Sequence, residues 1–570
     1  MFSKERFNKI LTVFISLILL LTTVTPAAAE DDWLEIVPGI YYQSFSLVNS
    51  DGEPQRIYVA RMSRSSEYAS SLTLETSIAQ RYINRGLERV EGMANRYEDT
   101  LNYWYSPVIT GTPTWGNRND VVVAINGSFF NKDTYVMERG LFHSGWYAKR
   151  FTDFENGSGF FWTLDREAVI GECIKHVVEK QVVVLDPGGI NSLQYFQGIN
   201  RERKDNELII YSPQWDLSTP EQDKFGVEVI VELNQPLLLM PVNDNGTSAG
   251  GRIIEIRQNT KGDSLIPFDG IVLSAHGTAA EALLGAAQVG MSIGVNQELK
   301  NYEESDCSTP LNSIDWTKTY AGLGGSYHFL ENGVIKQFDD AGAIVKDPRT
   351  AIAFNDDYIY FIVVDGRRPG YSVGMTIDEL AVFASETLTA THGINQDGGG
   401  SSTMWVNGAR VNYPSDAEAC FSLYIPFSTR SPLLPASLAP TGTDTVTEYL
   451  GCERYVDNGL MMVQVQAREV STMTIPMTQT LIVSNTAFLR QGPGYNYAAY
   501  YSLDPGETGN VITHTLGMNG IRASGMYWWK VKFGDKIGWV EETQLAPFYP
   551  PEQIATPRVN MRNPMGETIR

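Results

Sequence analysis

The stretch YIYFIVVDGRRPGYSVGMTIDELAVFASETLTATHGINQDGGGSS, residues 358–402, decides how this chain is read. An apolar run from Tyr358 ends at Asp365, and a turn-rich loop follows it. Thr376 and Glu379 then form a T-x-x-E capping box ahead of Ile377, Leu380, Ala381 and Ala384 on one helical face. Gly393 stands where a helix stops, and Ile394-Asn395-Gln396 returns to strand-like residues. Strand, loop, helix and strand in that order describe a crossover unit. With its two strands parallel, Asp365 and Asp397 leave the same sheet edge, where open α/β sheets bind ligands.

Around this unit, short β-like runs such as Glu228 to Leu233 and Gly270 to Ala275 alternate with Gly, Asn and Pro. Asn332-Gly333 and Asn407-Gly408 supply the positive φ angles of type I′ hairpins. The expected fold is an α+β domain, a mixed sheet with helices, over residues 33–434. The Pro-, Ser- and Thr-rich RSPLLPASLAPTGTDT, residues 430–445, marks a linker placed at 435–479. Residues 480–548 then carry FLRQGPG and WWKVKFGDKIGWV, which resemble a bacterial SH3-type domain, a small all-β barrel, before a tail at 549–570. That resemblance implies attachment to a cell-wall peptide or glycan, with a plain spacer as the other reading.

Lys4, Arg6 and Lys9, an apolar run from Ile10 to Leu21 and Ala27-Ala28-Ala29 read as a signal peptide over residues 1–29. The apolar run is short for a spanning helix, so the expected mature chain is secreted, extracellular or wall-associated, without a membrane span. A formal net charge of −22 disfavours nucleic acid as the main partner. Cys173, Cys307, Cys420 and Cys452 lack C-x-x-C spacing, which excludes a zinc ribbon and leaves up to two disulfides open.

By itself DGGGSS is a tight turn with one carboxylate, in which glycines let the backbone approach an anion. In order along the chain stand AINGSFF (124–130), INRERKDNELIIYSP (199–213), DGIVLSAHG (269–277), DPRTAIAF (347–354), VVDGRRPGYSVGMTIDELA (363–381), NQDGGGSSTM (395–404) and VNYPSD (411–416). This series resembles the phosphodiester glycosidase family over roughly residues 33–425. The resemblance implies hydrolysis of a sugar-1-phosphodiester to a free sugar and a phosphomonoester; no cofactor is expected, and the Asp397 carboxylate leaves a divalent ion open.

Phosphate on an anomeric carbon is already a good leaving group, so the chemistry asks for cations and a carboxylate more than for a strong acid. Asp397 is the expected nucleophile or base, and Asp365 its partner or the anchor of its loop. Arg349 and Arg367 are expected to clamp phosphate through guanidinium forks, with Arg368 a solvated neighbour. Asn126 is expected to bond sugar or phosphate; Thr350, Gly398, Gly399, Gly400, Ser401 and Ser402 complete the cradle. No metal site is expected: His143, His276 and His328 stand at no ligand spacing, and the acidic residues 303–306 lack a calcium-loop frame. Ala353, where the family pattern has Gly, and Ala417-Glu418-Ala419, where it often has Arg, leave the sugar open. Two other functions fit the same residues: a non-catalytic binder of wall glycan or phosphopolymer, and an ordinary glycosidase or phosphodiesterase.

Overall fold

A computed structural model describes residues 33–549 apart from 99–101, 105–113, 152–157, 177–180, 187–191, 234–249, 302–318, 416–452, 466–474, 476–478, 513–520 and a few single residues or pairs. The signal-peptide segment, the four cysteines and the Pro-rich start of the expected linker lie outside the described residues.

The described residues are 50% strand and 12% helix, arranged in several sheets, which corrects the α+β expectation to a mostly β protein. The largest sheet orders its main strands as Leu34–Val37, Ile40–Val48, Pro54–Ser63, Tyr358–Val364, Arg349–Phe354, His392–Asn395, Thr319–Glu331, Ser158–Thr163 and Ala168–Gly171. Every neighbouring pair in it is antiparallel. The expected crossover therefore differs in one respect. Tyr358–Val364 and His392–Asn395 do run in the same direction, but Arg349–Phe354 lies between them and opposes both. Asp365 and Asp397 still emerge on one edge.

The apolar run Tyr358–Val364 misleads because both of its faces are covered. On one side Tyr360, Ile362 and Val364 pack with Ile377, Leu380 and Ala381 of the helix Ile377–Val382. On the other, Phe361 and Val363 meet Val123, Ile125, Met404 and Leu460 of a second, five-stranded sheet. That sheet runs Ala409–Arg410, Met404–Val406, Asn119–Asn126, Asn458–Val465, Leu72–Ile78, and its outer face packs on the helix Val90–Glu98 through Met93, Ala94 and Tyr97. Two sheets face to face with a helix on each outside form four layers. Asn458–Val465, in the stretch expected as linker, is a central strand of this body.

Local chemistry matches the sequence closely at several points. Thr376 and Glu379 form both bonds of the capping box. The helix passes into a π-turn over Phe383–Thr387 and stops there, so Gly393 is a strand residue rather than the helix stop. Asn407 and Gly408 have φ of 42° and 88° in the hairpin from Met404–Val406 to Ala409–Arg410.

A separate eight-stranded sheet gathers strands between Val182 and Asn296, with a core of Val229, Val231, Ile271, Leu273 and Val295. The C-terminal strands Ala499–Leu503, Ala487–Arg490, Lys536–Glu541, Met526–Phe533, Thr508–Val511, Thr480–Val483 and Leu545–Pro547 form one sheet in that order. Among the described residues its ends do not pair with each other, so in place of the expected barrel stands an all-β sheet with no closed barrel, packed around Trp529, Val531 and Leu489. Its residues dock on the eight-stranded sheet. Phe268 meets the rings of Tyr497 and Trp539, Gln491 takes a bond from Tyr82 and gives one to Ile266 O, and Lys530 joins Glu232 and Asp269. No described helix is long and apolar enough to cross a membrane.

Candidate active site

The glycine loop is fixed from three sides by backbone hydrogen bonds. Gln396 N–H donates to Thr350 O at 2.8 Å, Asp397 N–H to Gly127 O at 3.0 Å and Gly399 N–H to Pro348 O at 2.9 Å. Gly398 is required by crowding: a Cβ there would lie 2.7 Å from Pro348 O. Gly399 is required by conformation, with φ +63°. Ser401 and Ser402 turn their N–H groups back onto Gly398 O and Gly399 O. These glycines bring backbone segments together, and five N–H groups between Gln396 and Ser402 serve the fold rather than an anion.

Asn126 occupies the centre of this arrangement. Its Nδ2 donates to Asp397 O at 2.7 Å, while its Oδ1 accepts from Thr350 Oγ1 at 2.8 Å and from Thr403 N–H at 3.1 Å. With 0% exposure it holds Thr350, the Asp397 peptide and Thr403 in register. The structure thus brings Asn126, Thr350 and Asp397 together but makes the first two a buried framework. Asp397 is half-buried.

Asp365 is likewise an anchor. Its carboxylate accepts from Asn412 Nδ2 at 2.9 Å, Tyr413 N–H at 2.9 Å and Tyr371 Oη at 3.1 Å. Burial pushes its carboxyl up to about 6, and those donors oppose the shift. Asn412 and Tyr413 of the VNYPSD motif therefore seat Asp365.

The two arginines separate by the alternation of a strand. Arg349 and Thr350 point to opposite faces. Thr350 faces Asn126, whereas Arg349 Nε donates to Met375 O at 2.9 Å and its Nη2 to Gly342 O and Val345 O at 2.9 and 2.6 Å. Arg349, expected to clamp phosphate, is a buried brace on the helix side. Arg367 is 47% exposed, forms a two-point pair with Asp347 at 2.9 and 3.0 Å, and lies against Gly399. Arg368 donates to Pro414 O at 3.2 Å.

Ser401 Oγ accepts from Arg454 Nη1 at 3.4 Å, and Ser402 Oγ is buried with no partner among the described residues. Arg454 belongs to a segment that the sequence offered as linker, as do Asp457 and Asn458. Asn458 Oδ1 accepts from Ser128 N–H at 2.7 Å and its backbone O from Gly127 N–H at 3.0 Å. The Asp-Asn-Gly at 457–459 has turn chemistry, which hides its place at the head of a central strand.

The histidines lie elsewhere: His276 heads the helix Gly277–Ala286, His328 pairs with Glu172, and His143 bonds Thr76. Among the described residues, no group of three or more His, Cys, Asp or Glu is placed to hold a metal ion. A cavity of about 470 Å³ opens beside the eight-stranded sheet, lined by Asn84, Trp215, Asp216, Thr219, Lys261 and Asp263 among others, and includes none of the motif residues.

Three solved structures are similar at low identity. A hypothetical protein from Synechocystis gives a TM-score of 0.46 at 16% identity over 76% of this chain, which spans 63% of that protein's length. A protein of Burkholderia pseudomallei gives 0.43 at 17% identity, covering 72% of this chain and 74% of that one. The catalytic domain of zebrafish N-acetylglucosamine-1-phosphodiester alpha-N-acetylglucosaminidase, auto-inhibited by its pro-peptide, gives 0.34 at 12% identity, covering 76% of this chain and 86% of that one. No curated protein matches the sequence. Residues 245–427, which contain Arg349, Asp365, Arg367 and the whole glycine loop, match the family model of the phosphodiester glycosidases.

Proposed function

We propose that this protein is a hydrolase that releases a sugar from its anomeric phosphodiester. The observation that carries this reading is the convergence of Asp397 with Arg367 on one glycine loop, inside the region that matches the family model. Arg367, oriented by Asp347, presents its exposed guanidinium to the phosphate. Asp397 faces the anomeric carbon and stabilises the positive charge that grows there as the C–O bond breaks. The departing phosphomonoester takes the bonding electrons; water adds its oxygen to the sugar and its proton passes to the released phosphate. Asn126 and Thr350 hold the Asp397 peptide in place.

The N-terminal Lys/Arg, apolar and Ala-rich pattern supports export, and with it a phosphate-linked envelope polymer as substrate. The test is hydrolysis of a sugar-1-phosphodiester in oxygen-18 water by the wild type, Asp397→Asn and Arg367→Ala. Label in the sugar and loss of about a hundredfold or more in kcat/KM in both variants are expected. Label in the phosphate, or unchanged turnover in both variants, overturns the reading.

A further inference from the structure

Asp457 lies outside the family match, and the hydrolytic reading above does not use it. It directly precedes Asn458–Val465, the strand that pairs with Asn119–Asn126 so that Gly459 faces Asn126. One turn, Asn126 to Ser128, carries both acidic segments. Gly127 C=O accepts from Asp397 N–H, and Gly127 N–H donates to Asn458 O. Asn126 Nδ2 holds Asp397 O from one side of that turn, and Asn458 Oδ1 holds Ser128 N–H from the other. The backbones that bear the two carboxyl groups are therefore bound to opposite sides of a single glycine.

Asp457 is 3% exposed. Its Oδ1 accepts from Asn458 Nδ2 at 2.5 Å, and its Oδ2 is buried with no hydrogen-bond partner among the described residues. An ionised carboxylate in that position would leave a lone pair and a charge unsatisfied; a protonated one is neutral.

We propose that Asp457 and Asp397 form a coupled carboxylate pair at the base of the site, with Asp457 carrying the proton while Asp397 is ionised. Neutral Asp457 keeps a second negative charge away from the position of an anionic phosphodiester. The role rests on the hydrolytic reading, whereas the coupling itself does not. Burial pushes the Asp457 carboxyl well above the usual range, the charge of Asp397 adds to the shift, and Lys149 opposes it. Lys149, at the end of the strand Trp146–Lys149, has its Nζ held at Met137 O. Asp457 acts here through Asp397 and the local charge, so it is a positioning residue.

Two measurements on the full chain decide the matter. Infrared titration of wild type, Asp457→Asn and Asp397→Asn reads the carbonyl stretch of protonated carboxyl groups. At neutral pH the wild type should show a band that Asp457→Asn lacks. In Asp397→Asn its titration midpoint should fall by about one pH unit or more, since a neighbouring charge has gone. Absence of the band difference, or an unmoved midpoint in Asp397→Asn, overturns the pair. If Asp457→Asn does not fold, the midpoint comparison between wild type and Asp397→Asn still decides.

The second measurement is the pH profile of sugar-1-phosphodiester hydrolysis. Ionisation of Asp457 should raise KM on the alkaline side, and Asp457→Asn should lose that limb while keeping the acid limb. An identical alkaline limb in both proteins overturns the role of Asp457. A wild type without turnover overturns the hydrolytic reading instead, and the infrared result then stands on its own.

Discussion

The Arg367 guanidinium lies against Gly399, close enough that a Cβ on the glycine would come within 3.0 Å of Nη2. The same glycine has φ +63°, a conformation costing a side-chain-bearing residue about 1–2 kcal/mol. Gly399→Ala should therefore combine backbone strain with displacement of the proposed phosphate cation. A fall in kcat/KM of roughly tenfold or more is expected, carried mainly by KM, with a modest drop in Tm. Steady-state kinetics beside a thermal melt measure both, and a variant with wild-type KM would remove Arg367 from the phosphate subsite.

Arg349 should behave in the opposite way. Its guanidinium closes three backbone carbonyls, those of Met375, Gly342 and Val345. Arg349→Ala takes a donor from each: Met375 O keeps the Asp347 N–H, and the part-buried carbonyls of Gly342 and Val345 cost about 1–3 kcal/mol for each one that water does not reach. The expected outcome is a lower urea midpoint with KM close to wild type in whatever fraction stays folded. A large KM effect without loss of stability would return Arg349 to the phosphate.

Asp365 sets a pH dependence of stability. Burial raises its carboxyl from the ordinary range near 4 to about 6 in the folded chain, so between those values the folded state binds more protons than the unfolded one. The contribution is complete below about pH 4 and is lost as pH rises through about 6, amounting to roughly 2–3 kcal/mol. Asp365→Asn cannot ionise. Its stability relative to wild type should improve by that amount between pH 4 and pH 7, read from urea midpoints at each pH. Taking the difference between the two proteins cancels Glu75, which burial also raises, to about 8.

Motif residues proved easier to locate than to assign. The capping box, the Asn-Gly hairpins and the shared edge of Asp365 and Asp397 follow from local rules, and local rules were visible. Side-chain roles depend on which face a residue presents: Arg349 and Thr350 are neighbours in sequence and lie on opposite sides of a sheet. Fold class failed for a related reason. A strand buried by a helix on one face and a second sheet on the other has the apolar run of a parallel strand, although its partners are antiparallel. Asp457 had no motif to mark it, because its place comes from a strand that returns to the body after the Pro-rich stretch.

That returning strand sets where the chain can be cut. Asn458–Val465 is paired on both edges, with Leu72–Ile78 and Asn119–Asn126, and Leu460 and Met462 fill the core between the sheets. A chain ended at residue 434 exposes two strand edges and opens that core, so it should be insoluble or lack a cooperative melt. Ending at residue 470 keeps the strand and removes the C-terminal sheet. The body should then fold with a lower Tm, because Phe268 loses Tyr497 and Trp539, and the Glu232 and Asp269 carboxylates lose Lys530. Lys530→Met in the full chain isolates the ionic part: Asp269 is fully buried, and removing its cation should cost about 3–5 kcal/mol. Restoring stability in Lys530→Met by adding Asp269→Asn and Glu232→Gln would show that the cost is unpaired charge. Equal melting of Lys530→Met and wild type would mean that the aromatic contacts and the Gln491 hydrogen bonds hold the two sheets together.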